Sequence, residues 1–263
     1  MTDEVAELVL RDNYEQNLAL ANAARNAPSL LHVHEQWMRD LESRGLLDRE
    51  LEALPPTREV KRRIEAGGAL TQPELSVLMA YTKIVLAEEL LASDLPEDPY
   101  LDLDLRSYSP EPVREGFPEQ IGAHPLRREI IVTQVVNDLV NGAGMTYWPR
   151  LAGETGASPA ELTRANFVAR EIYGSLELRR ELEQYDNVLD AGLQTRMRVE
   201  MRTLVERASR WLVTNRRPPL DSQANVEFFA GRVQETMLEL PSLLTGAELS
   251  SYEKRRSSLE SQS

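Results

Sequence analysis

Apolar residues along this 263-residue chain recur at three- and four-residue steps almost wherever they cluster, the period of a helix with one buried face. Residues 3–23 carry a moderate stripe through Val5, Leu8, Val9 and Leu20. Pro28-Ser29 then offers a fresh N-cap for a helix to about residue 43, closed by Gly45. A further helix is predicted near 57–66, ending at Gly67-Gly68. Thr71-Gln72-Pro73-Glu74 is a capping-box pattern, in which Thr71 caps and Glu74 reaches back to it. Behind it, to about Ala92, Leu75, Leu78, Met79, Leu86 and Leu90 form one stripe, while Val77, Tyr81, Ile84 and Val85 make the other side apolar too. Such a helix is expected to be buried on most faces and central.

The pattern breaks between 96 and 125, where six of the 15 prolines fall. A long helix cannot run through so many missing donors. The reading is short helical turns forming an ordered connector, with an interdomain linker as the alternative; Leu101, Leu103, Leu105 and Phe117 are its expected anchors. From Pro125 to Asn141 the β-branched content suggests a strand. Yet Leu126, Ile130, Val132, Val135, Val136, Leu139 and Val140 keep a helical stripe over too long a run for one. Ser158-Pro159-Ala160-Glu161 marks a strong helix start, running towards Tyr173 and Gly174. Helices over about 176–186, 190–214 and 221–240 follow, and the polar tail from 246 is expected to fray. The predicted architecture is all-α, an irregular multi-helix bundle of about ten helices with no significant sheet. Its parts are an N-terminal helical part (1–95), the Pro-rich connector (96–125), a C-terminal helical part (126–245) packed with the first as one domain, and the tail (246–263).

Charge and composition narrow the partners. Asp plus Glu number 43 against 30 Lys plus Arg, a net charge of −13, which argues against duplex nucleic acid or an anionic membrane surface. Cysteine is absent, which removes disulfides, thiolate metal sites and a cysteine nucleophile. No signal peptide or membrane-spanning run is read, so a cytoplasmic location is expected.

Candidate chemistry is thin. Gly142 and Gly144, in Asn-Gly-Ala-Gly-Met-Thr-Tyr, lack the third glycine, the preceding strand and the following helix of a dinucleotide fingerprint; a helix C-terminus is the plainer reading. His32 and His34 sit two apart on a predicted helix, where side chains diverge, and His124 precedes Pro125 as a helix-entry residue. Glu88-Glu89 and Asp102 with Asp104 read as solvated carboxylates. Arg58/Lys61/Arg62/Arg63 and Arg207/Arg210/Arg216/Arg217 read as helix-end and ion-pairing charges, with a local anion or partner site as the sharper alternative. Tyr147 and Trp148, beside the flexible Gly142 and Gly144, are read as core rings or else as a docking surface. No catalytic, cofactor-binding or metal-ligating residue is assigned.

Four long segments resemble the C-terminal portion of the large bacterial NAD-specific glutamate dehydrogenases. They are Met1–Tyr14, Leu70–Asp98, His124–Arg150 and Thr155–Tyr173, in the family's order and approximate spacing. The resemblance implies a piece of a longer polypeptide whose NAD-binding catalytic domain, with its catalytic lysine, lies upstream and is this chain's partner. Met1 is then an internal methionine of the family pattern. It implies a helical, non-catalytic part supporting that domain or subunit packing, with a homo-oligomer as a further expectation and no cofactor of its own. The alternatives are a free-standing helical scaffold and, last, an independent enzyme using carboxylates and the Asn141–Tyr147 loop.

Overall fold

The structure, a computed structural model, describes residues 2–101, 105, 108–185, 188–216 and 218–260. Among them are twelve α-helices, ten of seven residues or more, and no strand. The chain divides into two compact units, Met1–Thr163 and Arg164–Ser263.

In the first unit, α1 (Thr2–Ser43) is a single helix of 42 residues that continues through Pro28. The sequence predicts two helices there, because an interior proline removes a hydrogen bond and clashes with the preceding turn, at about 3 kcal/mol. The unbroken face explains the difference. Leu20, Ala27, Leu31, Met38 and Leu41 are buried along one side of α1, before and after the proline. Burying a single leucine contributes about 1.5–3 kcal/mol, so the set outweighs the local penalty. Gly45, at φ 69°, then closes the helix as expected.

A loop leads to α2 (Thr57–Glu65) and then to α3 (Gln72–Leu91). The Thr71 capping box forms: Glu74 N–H donates to Thr71 Oγ1, and Thr71 N–H donates to Glu74 Oε2. Helix α3 packs on α1 and on α6 (Arg127–Ala143), which also pack on each other, so it is central to this unit. Its burial is one-sided, however, since Ile84 is exposed and Tyr81 and Val77 are only half-buried.

Between α3 and α6 the Pro-rich stretch folds as 3-10 turns at Leu95–Glu97 and Pro99–Leu101, then α4 (Glu111–Gly116) and α5 (Pro118–Gly122). Arg127 and Arg128, at the start of α6, tie this stretch down. Arg127 donates to Pro96 O, Arg128 donates to Leu91 O, and both pair with Glu97. Leu101 and Leu105 are buried as anchors, whereas Phe117 is not. It sits between two short helices that bury only Ile121, and it stays 55% exposed. Leu103 lies outside the described residues. Leu126 is also exposed, because it caps α6 from outside the helical stripe.

After Gly144, α7 (Tyr147–Thr155) ends at the left-handed Gly156, and α8 (Pro159–Ile172) begins at Ser158. Ser158 and Glu161 exchange hydrogen bonds as the sequence pattern implies. The division between the units falls inside α8.

The second unit gathers Ala165, Val168, Ala169 and Ile172 of α8 with Val205 and Leu212 of α10 (Ala191–Asn215) and with Leu220. A shorter helix, α9 (Ser175–Gln184), precedes α10. Asp221 accepts from Ala224 N–H and caps α11 (Ser222–Leu243). Val226, Phe229 and Val233, at helical spacing, pack α11 on that core. Residues 246–260, expected to fray, form α12 (Gly246–Glu260), a helix most of whose described side chains are exposed.

Charge is unevenly shared. Residues 1–163 contain 28 Asp and Glu against 15 Lys and Arg, while residues 164–263 contain 15 of each. The whole net charge of −13 therefore lies on the first unit.

Candidate functional site

The most concentrated polar chemistry of the first unit lies where α1 meets the loop before α2. Arg49 is buried and its guanidinium pairs with Glu35 at 2.7 Å and with Glu42 at 2.7 Å. It also donates to Pro55 O at 3.1 Å, and Thr57 Oγ1 donates to Glu35 Oε1 at 2.7 Å. Burial opposes the Arg49 charge, but hydrogen bonds and attraction from Glu35 and Glu42 outweigh it, so its pKa rises above the ordinary value. A cleft of about 530 Å³ opens beside this cluster, lined by Glu42, Asp48, Arg49, Glu50 and Thr57 among others. Several of its groups bond to one another or to the backbone: Asp48 Oδ1 accepts from the N–H of Glu50 and of Leu51, whereas Arg49 Nε is buried without a partner among the described residues. Paired charges of this kind fasten a loop to a helix.

A second buried set surrounds Trp37. Its Nε1 donates to Thr82 Oγ1 at 2.9 Å, and that hydroxyl donates on to Leu78 O at 2.8 Å. The ring of Trp148 meets Trp37 edge to face, with centroids 5.0 Å apart. Trp148 is only 4% exposed, and Tyr147 is buried with its hydroxyl donating to Leu162 O. The docking reading of the 142–148 loop is therefore withdrawn, because both rings are core. His34, one turn before Trp37, is buried too, and burial with a lesser push from His32 lowers its pKa to about 4. It is neutral at pH 7.

The remaining histidines do not join it. His32 is exposed, and His124 Nδ1 accepts from Leu126 N–H at the entry to α6. Among the described residues no three His, Asp or Glu side chains are grouped to hold a metal ion. Glu89 pairs with Arg44, and Glu88 is exposed. Asp102 and Asp104 lie outside the described residues. In the first basic cluster Arg62 and Arg63 pair with Glu59, and Arg63 also with Glu74.

The second basic cluster proves more distinctive. Arg210 pairs with Glu206 along α10, and Arg217 lies outside the described residues. Arg216 instead stands among three rings, its guanidinium carbon 4.8 Å from the Phe229 centroid, 5.4 Å from Phe228 and 5.8 Å from Trp211. Arg232 lies 4.9 Å from the same Phe228. Trp211 meets Phe229 edge to face, as does Phe228. Trp211 and Phe228 remain 48% and 52% exposed. The run Trp211 to Arg216 hints at this arrangement in the sequence, but Phe228 and Phe229 arrive from the next helix.

Comparison with known proteins gives these three sets a context. Residues 67–263 match the family model described as glutamate dehydrogenase, C-terminal. The chain belongs to that family. It is 39% identical over 262 residues to the NAD-specific glutamate dehydrogenase of Mycobacterium tuberculosis, with all of this chain and 16% of that protein covered. The Pseudomonas aeruginosa enzyme of the same name is 41% identical over 246 residues, covering 94% of this chain and 15% of its own length. The Halomonas elongata enzyme is 35% identical, covering 98% and 16%. The chain thus spans about one sixth of the length of these curated relatives. Within the glutamate dehydrogenase C-terminal family match lie α3 and everything after it, including the Arg216 cluster, whereas most of the Arg49 cluster precedes it. Among the described residues, no helix of this family member is long and apolar enough to cross a membrane.

Proposed function

We propose that this chain is a non-catalytic helical part of an NAD-dependent glutamate dehydrogenase. The parent reaction is L-glutamate, NAD and water giving 2-oxoglutarate, ammonia and NADH, with hydride passing from the substrate α-carbon to NAD. The chemistry belongs to a catalytic domain upstream on the same polypeptide, and this helical part supports that domain or the packing of subunits in the cytoplasm. NAD is a cofactor of the parent enzyme and not of these residues.

The observation that carries the reading is the family match over residues 67–263, joined to relatives about six times longer that bear the dehydrogenase name. The side chains support it. The buried Arg49 pairs with the buried Glu35, and the buried His34 Nδ1 has no hydrogen-bond partner among the described residues. The test is glutamate-dependent NADH formation, followed at 340 nm, by the purified chain and by the full-length parent. The parent is expected to turn over and the chain to give no rate above background. Enzyme-like turnover by the chain alone would overturn the proposal.

A further inference from the structure

We propose that the aromatic–arginine face of the second unit binds the acidic outer face of α1 from a second copy of this chain. The inference deepens the subunit-packing part of the reading above. On one side stand Trp211, Phe228, Arg216 and Arg232. Neither arginine has a carboxylate partner among the described residues, although each lies against aromatic rings. A guanidinium stacked on a ring keeps its N–H edge for a carboxylate, so such a face recognises acid and apolar surface together. Half-exposed Trp and Arg are also the residue types that dominate binding energy at interfaces.

On the other side, the first eighteen residues of α1 are mostly exposed, and Asp3, Glu7, Leu10 and Tyr14 share one face at steps of three and four. Leu10 is 68% and Tyr14 39% exposed. Asp3 and Glu7 make no ion pair among the described residues, unlike Glu4, which is taken up by Glu111 N–H and Arg114. The face spans about 16 Å at 1.5 Å per residue, room for two carboxylates and two apolar side chains in series. Charge favours the match, because the whole net charge of −13 belongs to residues 1–163 and residues 164–263 carry none. Trp211, Phe228, Arg232, Glu7 and Leu10 are each exposed, and a second copy supplies each patch with a surface of the chemistry it lacks.

Sedimentation velocity of the 263-residue chain across about 1–100 μM tests this, at low and high salt. Concentration-dependent self-association, weaker in high salt, is expected. Glu7→Arg and Arg232→Glu, both at exposed positions, should each weaken association at least tenfold while leaving the circular dichroism melt unchanged. The double variant E7R/R232E, and an equimolar mixture of the two single variants, should regain association by restoring opposite charges. Trp211→Ala should weaken it without that rescue. A chain monomeric at every concentration would overturn the inference. So would association indifferent to these substitutions, no rescue by the charge swap, or a concentration-independent change in shape marking a contact within one chain. The NADH assay is independent of these outcomes, so the two proposals fail separately.

Discussion

Replacing Arg49 by methionine keeps much of the side chain's bulk and removes its charge. Glu35 is then left with an 11% exposed carboxylate whose remaining bond is to the Thr57 hydroxyl, and Glu42, 38% exposed, turns to water. Removing one partner of a buried pair typically costs about 3–5 kcal/mol, since the other charge stays behind uncompensated. Glu42 is exposed enough to contribute little, so the loss should lie towards the lower end, about 3 kcal/mol. Replacing Glu35 by glutamine in the same molecule removes the stranded charge and keeps a hydrogen-bonding group beside Thr57. R49M/E35Q should therefore be more stable than R49M alone, by about 1–2 kcal/mol. Urea unfolding followed by far-ultraviolet circular dichroism measures each variant, and in a Trp211→Phe background the fluorescence of Trp37 and Trp148 reports on the first unit. A loss under about 1 kcal/mol in R49M, or a double variant as unstable as the sum of the two singles, would refute the view that Arg49 fastens this loop by neutralising Glu35.

Acid should weaken the first unit through His34, whose pKa of about 4 in the fold lies below the ordinary 6.5. The unfolded chain then binds the extra proton first, so this contribution is whole above pH 6.5 and is lost as pH falls towards 4, by about 3 kcal/mol in all. His34→Leu should flatten that part of the curve of urea midpoint against pH, and an unchanged slope would count against it. Thr82→Val leaves Trp37 Nε1 buried without its acceptor and should cost about 1–3 kcal/mol in urea unfolding, with no effect expected on the second unit. Gly156→Ala meets no atom within 4 Å, yet its φ of +72° should cost about 1–2 kcal/mol in the same measurement. A neutral result there would mean that the turn relaxes out of the left-handed region.

Local rules were the ones the sequence displayed openly. The capping boxes at Thr71 and Ser158 involve residues three apart, and both form. The helical stripe of α6 likewise prevailed over its β-branched composition, since its buried set from Ile131 to Val140 repeats at helical steps. Pro28 shows the limit: the break expected there does not occur, because burial of Leu20, Leu31 and Met38 on one face overrides the local preference. Partnerships distant in the chain stayed hidden. Trp148 is buried, as the core reading of its ring has it, but its partner Trp37, more than a hundred residues earlier in the chain, is not visible in the pattern. Arg216 was visible only as one of several basic residues, because the phenylalanines that distinguish it lie on α11, beyond the Pro218-Pro219 break. The Arg49 pairs are hidden for another reason: α1 ends at Ser43, and Arg49 folds back onto Glu35 and Glu42 from the loop beyond Gly45.

The lopsided charge has a consequence for handling the two units in solution. At neutral pH residues 1–163 repel themselves, so added salt should screen that repulsion and tighten this unit. Residues 164–263, with balanced charge, have no such reserve to release and no colloidal repulsion to keep copies apart. Expressed by itself, the second unit should be the less soluble of the two near neutrality.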